Sequence, residues 1–248
     1  MGFAFQLYSS RNTTSQTAFL GTLASLGYTS VEGFGGVYED APGFATALQE
    51  AGLTMPSGHF ALDSLRQDFD GTIALAKTLG VAHIIVPFLN PEDRPTDALG
   101  WQALARELES FAVKVKSHDI TLSWHNHDFE FVALPDGTLP MDILLAEAPS
   151  IQWEADLAWI ARAGLDPAES VARHAERLIA VHVKDIAPSG ENTDEDGWAD
   201  IGVGVLPWPD LIALIRAKAP EAYLVAEHDN PSDPERFARV SISNLKGH

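Results

Sequence analysis

Histidines and carboxylates are bunched at four places in this chain. His125-Asn126-His127-Asp128-Phe129-Glu130 sets two imidazoles and two acids within six residues. Glu154-Ala155-Asp156, His182-Val183-Lys184-Asp185 and Glu227-His228-Asp229 repeat the theme downstream. Imidazole nitrogen and carboxylate oxygen together suit Mn²⁺, Co²⁺, Fe²⁺ or, less often, Zn²⁺, whereas Mg²⁺ prefers a fuller oxygen shell. The same groups move protons, and a lysine beside them can stabilise an oxyanion or hold a hydroxyl. One such bunch is easily accidental. Four of them point to one site assembled from distant segments.

The elements that must position these groups are short strands. β-branched and aromatic runs at Phe3–Leu7, Ser30–Phe34, Thr54–His59, His83–Pro87, Thr121–His125, Gln152–Asp156, Ala180–Lys184 and Tyr223–Glu227 alternate with helical spacing. The helices are expected at Thr14–Leu26, Gly43–Ala51, Asp63–Leu79, Trp101–Lys116, Met141–Ala148, Pro167–Leu178, Pro209–Ala217 and Pro234–Leu245. Gly27 and Gly52 suit helix C-terminal caps, and Pro209 and Pro234 suit first turns. Strict strand–helix alternation implies a parallel sheet, because parallel neighbours need a crossover. Eight units in 248 residues fit an α/β fold, a single (β/α)8 TIM barrel spanning 1–248. An open doubly wound sheet would carry a Gly-rich turn after its first strand, and this chain has Tyr8-Ser9-Ser10-Arg11-Asn12 there. Pro188–Asp200 reads as a long, acidic loop of the kind that often forms a mobile cover.

In a barrel the C-terminal strand ends meet at one mouth, which gives the four bunches a shared address. His125, Asp156, His182 and Glu227 are the expected metal ligands. Side chains alternate along a strand, so Glu154 shares a face with Asp156 but lies deeper, and His182 and Lys184 share a face. His59 and Glu32 end the third and second strands and are expected substrate contacts. Glu130 is a substrate contact or a loop salt bridge, and Trp159 stacks on a sugar ring or packs the barrel wall. Asn126 and Asp128 point away from the mouth and are candidates for orienting imidazoles. His83 opens a strand at the opposite end, His228 faces outward, and His118, His174 and His248 read as surface residues.

Composition narrows the partners. The net charge of −19, with 16 Lys and Arg against 35 acids, argues against nucleic acid. The letters His-Asn-His therefore do not imply a nuclease. With no cysteine, thiolate chemistry and Cys-based zinc sites are excluded. No apolar run approaches membrane-spanning length, and the first residues lack a basic leader, so the expectation is a cytoplasmic protein without a membrane partner. Homo-oligomer formation through exposed helix faces stays open.

The ordered series Phe5-Gln6-Leu7-Tyr8-Ser9-Ser10-Arg11, Val31-Glu32, Trp124-His125-Asn126-His127-Asp128-Phe129-Glu130-Phe131, Asp156-Leu157-Ala158-Trp159, Gly164-Leu165-Asp166-Pro167, Val181-His182-Val183-Lys184-Asp185, Gly202-Val203-Gly204 and Glu227-His228-Asp229-Asn230-Pro231 covers nearly the whole chain. It resembles the sugar phosphate isomerase/epimerase family, the xylose isomerase-like barrels that include inosose dehydratases and ketose 3-epimerases. The resemblance implies a divalent metal, Mn²⁺ first, on His125, Asp156, His182 and Glu227. Many members carry at the His125 position a glutamate that binds metal and moves a proton. Its replacement leaves Glu227 alone of the catalytic pair, so two-faced epimerisation requires His125 or His127 as the second base. The expected activity is sugar or polyol isomerisation or epimerisation by proton abstraction beside a carbonyl, with Glu227, His127 and Lys184 as catalytic groups. The alternative is a dehydratase or eliminase acting on a keto-sugar or keto-inositol at the same metal site. No Arg/Lys-rich phosphate cradle is evident, which favours an unphosphorylated small molecule.

Overall fold

The computed structural model describes residues 3–247; Met1, Gly2 and His248, including the surface reading of His248, lie outside the described residues. Eight parallel strands close on themselves in the order β1-β10-β7-β6-β5-β4-β3-β2. They are β1 Phe3–Gln6, β2 Ser30–Gly33, β3 Thr54–His59, β4 His83–Val86, β5 Thr121–His125, β6 Gln152–Asp156, β7 Leu178–Val183 and β10 Tyr223–Ala226. The remaining two, β8 Asp185–Ile186 and β9 Trp198–Ala199, pair antiparallel outside the barrel. All eight expected barrel strands are present. Lys184 and Glu227 sit one residue beyond their strands, on the first residue of a loop.

Ten α-helices of the described residues wrap this ring. The longest, α5 Ala98–Lys116, buries Trp101, Leu104, Leu108, Phe111, Ala112 and Val115 along one stripe, as 3.6-residue spacing requires. Asp97 Oδ1 accepts from Gly100 N at 2.8 Å and caps its start. α1 Gln16–Leu26 stops at Gly27, whose φ of 97° is open to glycine and costly for other residues.

Four local expectations need correction. The helix expected at Asp63–Leu79 is two, α3 Leu62–Gln67 and α4 Phe69–Leu79. Asp68 takes a non-helical φ of −147° and turns its Oδ1 to Gly71 N at 3.0 Å, so its own capping bond breaks the helix. The segment expected to be helical to Leu178 unwinds after α8 Pro167–His174 through a 3-10 turn, and β7 starts two residues early. There Arg177 reaches Leu145 O at 3.0 Å and Ala148 O at 2.6 Å, fixing the turn to the end of α6 Pro140–Glu147. A short helix, α7 Leu157–Arg162, follows β6 without a loop because Asp156 caps it.

The fourth concerns Pro188–Asp200, which is folded. β8 and β9 form a ribbon, and its Trp198 side chain is buried. Asp185 gathers the ends of this segment by accepting from the N–H groups of Ile186, Gly202, Gly204 and Leu206 at 2.9–3.1 Å. A Cβ on Gly204 would lie 2.3 Å from both Asp185 Oδ1 and Ile186 O. The Gly202-Val203-Gly204 segment is thus the seat of that carboxylate, which agrees with a loop and explains its composition.

TIM barrels usually fill their interior with branched aliphatic side chains. Here the separate apolar cluster of Ala4, Ala180 and Val225 is small. Above it, buried Gln6, Glu32, Ser57, Ser123, Glu154 and His182 meet from six strands. Hydrogen bonds between residues on opposite strands, such as Glu32 on β2 with His182 on β7, cross the ring's interior.

Candidate metal centre

Asp156, His182 and Glu227 each direct one ligand atom into a group whose members lie within 4.8 Å of one another. The local chain explains each placement. Asp156 ends β6, and its Oδ1 accepts from Ala158 N and Trp159 N at 3.0 Å, which pins the carboxylate to the start of α7. Its Oδ2 is left buried without a hydrogen-bond partner. His182 donates from Nε2 to Glu32 Oε1 at 2.7 Å in the tautomer that bond selects, and its Nδ1 is unpartnered, 3.6 Å from Glu227 Oε2. Glu32 is in turn fixed by Gln6 Nε2 at 2.8 Å and Ser57 Oγ at 2.5 Å. Glu227 Oε2 is the third buried atom without a hydrogen-bond partner.

Three ligand atoms, one from each residue, lie close enough to share a divalent cation, and none of them makes an aligned hydrogen bond. Lys184 Nζ lies 2.9 Å from Asp156 Oδ2 and 2.5 Å from Glu227 Oε2, which balances charge there. Its aligned hydrogen bond goes instead to Asp229 Oδ2 at 3.0 Å.

Beside the group opens a pocket of about 520 Å³, lined by His59, His125, His127, Glu227 and Asp229 on one side and by Tyr8, Phe34, Phe60 and Phe88 on the other. Burial would raise Glu227, but the Lys184 ammonium and His182 overcome it and hold the carboxyl well below its usual range. Burial would lower His182, yet Glu154 and Glu32 raise it well above the ordinary imidazole value. His127 is driven the other way, to about 3, by burial and then by Lys184, so its ring is neutral. Burial outweighs Lys184 at Asp229 and pushes that carboxyl up to about 7.

The structure brings Asp156, His182, Glu227 and Lys184 together and places His127 and His59 on the pocket wall. His125 also reaches the pocket but stands outside the close group of three, with Nδ1 3.0 Å from Glu154 Oε2. The expected substrate contacts fare differently. Glu32 is fully buried inside the barrel, off the pocket, because it serves His182. Glu130 is also fully buried, accepting from Trp124 Nε1 and His127 N, both at 2.9 Å, so it braces the loop after β5. Trp159 does not line the pocket; it packs behind His127 and against Trp198, at ring distances of 5.3 and 4.9 Å. Lys184 is likewise beneath the pocket surface. Asn126 orients backbone and an indole instead of an imidazole, accepting from Trp153 Nε1 at 2.9 Å and Asp156 N at 3.1 Å. His228 does face outward from the barrel, buried against Phe237.

Sequence reasoning passed over Glu154 as a ligand, although period-two alternation had put it on the face of Asp156. It also missed Asp229 and the aromatic wall. Asp229 sat in the last acidic bunch as a visible signal, whereas Phe34, Phe60 and Phe88 carry no pattern that separates them from core.

Residues 20–248 match the family model described as xylose isomerase-like TIM barrel, and the chain belongs to that family. Its barrel carries a cluster of His, Asp and Glu that could hold a metal. The rhizopine catabolism protein MocC of Rhizobium meliloti is 22% identical over 260 residues, covering 91% of this chain and 79% of MocC. A crystal structure of a sugar phosphate isomerase/epimerase from Parabacteroides distasonis has a TM-score of 0.80 at 19% identity, covering 98% of this chain and 93% of that one. The IolI protein with a bound zinc atom has a TM-score of 0.79 at 14% identity, covering 100% and 97%. At such identities the structural likeness carries the fold. No helix of the described residues is long and apolar enough to cross a membrane.

Proposed function

We propose that the protein is a divalent-metal-dependent isomerase or epimerase of a sugar or polyol derivative, working by proton transfer beside a carbonyl. The observation that carries this reading is the convergence of three buried ligand atoms without aligned hydrogen bonds, Asp156 Oδ2, His182 Nδ1 and Glu227 Oε2, at the edge of an open pocket. These residues would hold the ion, with Mn²⁺ the first assignment for mixed nitrogen and oxygen donors. When bound, the ion supplies Lewis acidity that polarises a carbonyl and a neighbouring hydroxyl.

Glu227 lines the pocket as a carboxylate and is placed to take the proton from the carbon next to the carbonyl, while Lys184 and His182 temper its basicity. The C–H electron pair becomes the new C=C bond, and the carbonyl oxygen takes up the charge. Lys184 keeps the adjoining carboxylates neutralised while this charge develops. Neutral His127, with its Nδ1 free of partners, can accept or return a proton from a second direction. Return of the proton to the adjacent carbon gives isomerisation, and return to the opposite face gives epimerisation.

Incubation of metal-loaded protein with keto-sugars and keto-polyols in D₂O tests the reading. Deuterium should enter the carbon beside the carbonyl, with no water or aglycone lost, and Glu227→Gln should stop the exchange. Loss of a substituent would establish elimination instead, and no exchange with any such compound would overturn the proposal.

A further inference from the structure

We infer that the pocket holds a second divalent-cation site, formed by His59 Nε2, His125 Nδ1 and Glu154 Oε2, beside the one at Asp156, His182 and Glu227. The three donors come from β3, β5 and β6 and meet within the barrel's polar layer. Glu154 Oε2 is the hub, 2.7 Å from His59 Nε2 and 3.0 Å from His125 Nδ1. Donors sharing a cation at bond lengths near 2.1 Å are spaced by about 3.4 Å in a tetrahedral shell, so an opening of about 0.4–0.7 Å converts the cluster into a site.

Glu154 Oε1 is the independent observation. It belongs to a fully buried carboxylate, and no hydrogen-bond donor reaches it among the described residues. The imidazoles both fall on Oε2, so this carboxylate keeps a buried oxygen in reserve that a cation gripped by both oxygens would serve. His182 Nε2 is 3.2 Å from the same hub but is committed to Glu32 Oε1 at 2.7 Å, which leaves three donors. His59 and His125 both line the pocket, so the open side of the site faces incoming ligand. Two imidazoles and one carboxylate with an open face suit Fe²⁺, Co²⁺, Mn²⁺ or Zn²⁺. A second ion there lets one pocket grip two oxygens of the same polyol.

The test is metal stoichiometry on the full chain, stripped with chelator and reloaded with Mn²⁺ or Zn²⁺. Two equivalents per chain are expected, falling to one in Glu154→Gln and to one in His59→Gln. Asp156→Asn should also keep one equivalent, at the other site. His59 is at the pocket edge, so His59→Gln serves if the buried Glu154→Gln fails to fold. In the Mn²⁺ form, electron paramagnetic resonance should show line broadening between paired ions, absent in His59→Gln. One equivalent in the wild type overturns the inference, as do two equivalents that survive both substitutions. A cluster held together by protons alone gives the first of these results.

Discussion

His182 offers its two nitrogens to different partners. Nε2 is tied to Glu32, which leaves Nδ1 for the centre, and the carboxylate behind the ring fixes both tautomer and direction. Glu32→Gln should therefore weaken metal binding by about 10–100-fold, the usual cost of losing such a partner, while leaving the pocket wall unchanged. Chelator competition measures it, and unchanged affinity would show that Glu32 only packs. Glu227→Gln should lower turnover at least ~10²-fold, since it removes a proton-transfer group, and should also lower the stability that bound metal adds, since it removes a ligand. The ligand-type residues were legible because chemistry and strand-end position agree at Asp156, His182 and Glu227. Glu32 and Glu130 were misplaced for a shared reason. A carboxylate near a strand end serves a protein donor behind the mouth, as Glu32 serves His182 and Glu130 serves Trp124 and the His127 N–H, as readily as a substrate in it.

At the scale of elements, two anchors hold the loops that carry the site. Asp185 binds four backbone N–H groups across 186–206. Asp185→Ala should cost about 2–4 kcal/mol, since buried N–H groups lose an ionised acceptor. Limited proteolysis should then cut within Pro188–Asp200, whereas a loop held mainly by Trp198 would stay resistant. Glu130 anchors the loop after β5, and burial pushes its carboxyl from 4.5 up to about 8 against the donors that favour the anion. A carboxyl raised by folding binds its proton more tightly in the native state. Its contribution is fully present below about pH 4.5 and is lost as pH rises towards 8. Melting temperature should decline over that window more steeply in the wild type than in Glu130→Gln, and parallel profiles would contradict this. The strands and most helices were legible from period and caps. The break at Asp68 and the β8–β9 ribbon were not, because a side chain's choice of backbone partner decided them.

Across the whole molecule, the barrel places the Asp156, His182 and Glu227 group over an interior that is polar where such barrels are usually aliphatic. Eightfold alternation made the closed sheet readable, and the family match agrees with it. The polar layer was not readable, since Glu32 finds His182 150 residues away and His59 finds Glu154 95 residues away. Burying such groups stabilises the fold only when they are paired, so a bound cation should stabilise the native chain. Metal at ~100 times its Kd adds about 2.7 kcal/mol, which for a chain of this size raises Tm by roughly 5–10 °C. Calorimetry with and without chelator checks this. The most direct measurement is anomalous diffraction from crystals loaded with Mn²⁺ or Zn²⁺. A peak about 2.0–2.3 Å from Asp156 Oδ2, His182 Nδ1 and Glu227 Oε2 is the predicted result. Loaded crystals with no peak between those three atoms would contradict the metal centre and the proton-transfer chemistry built on it.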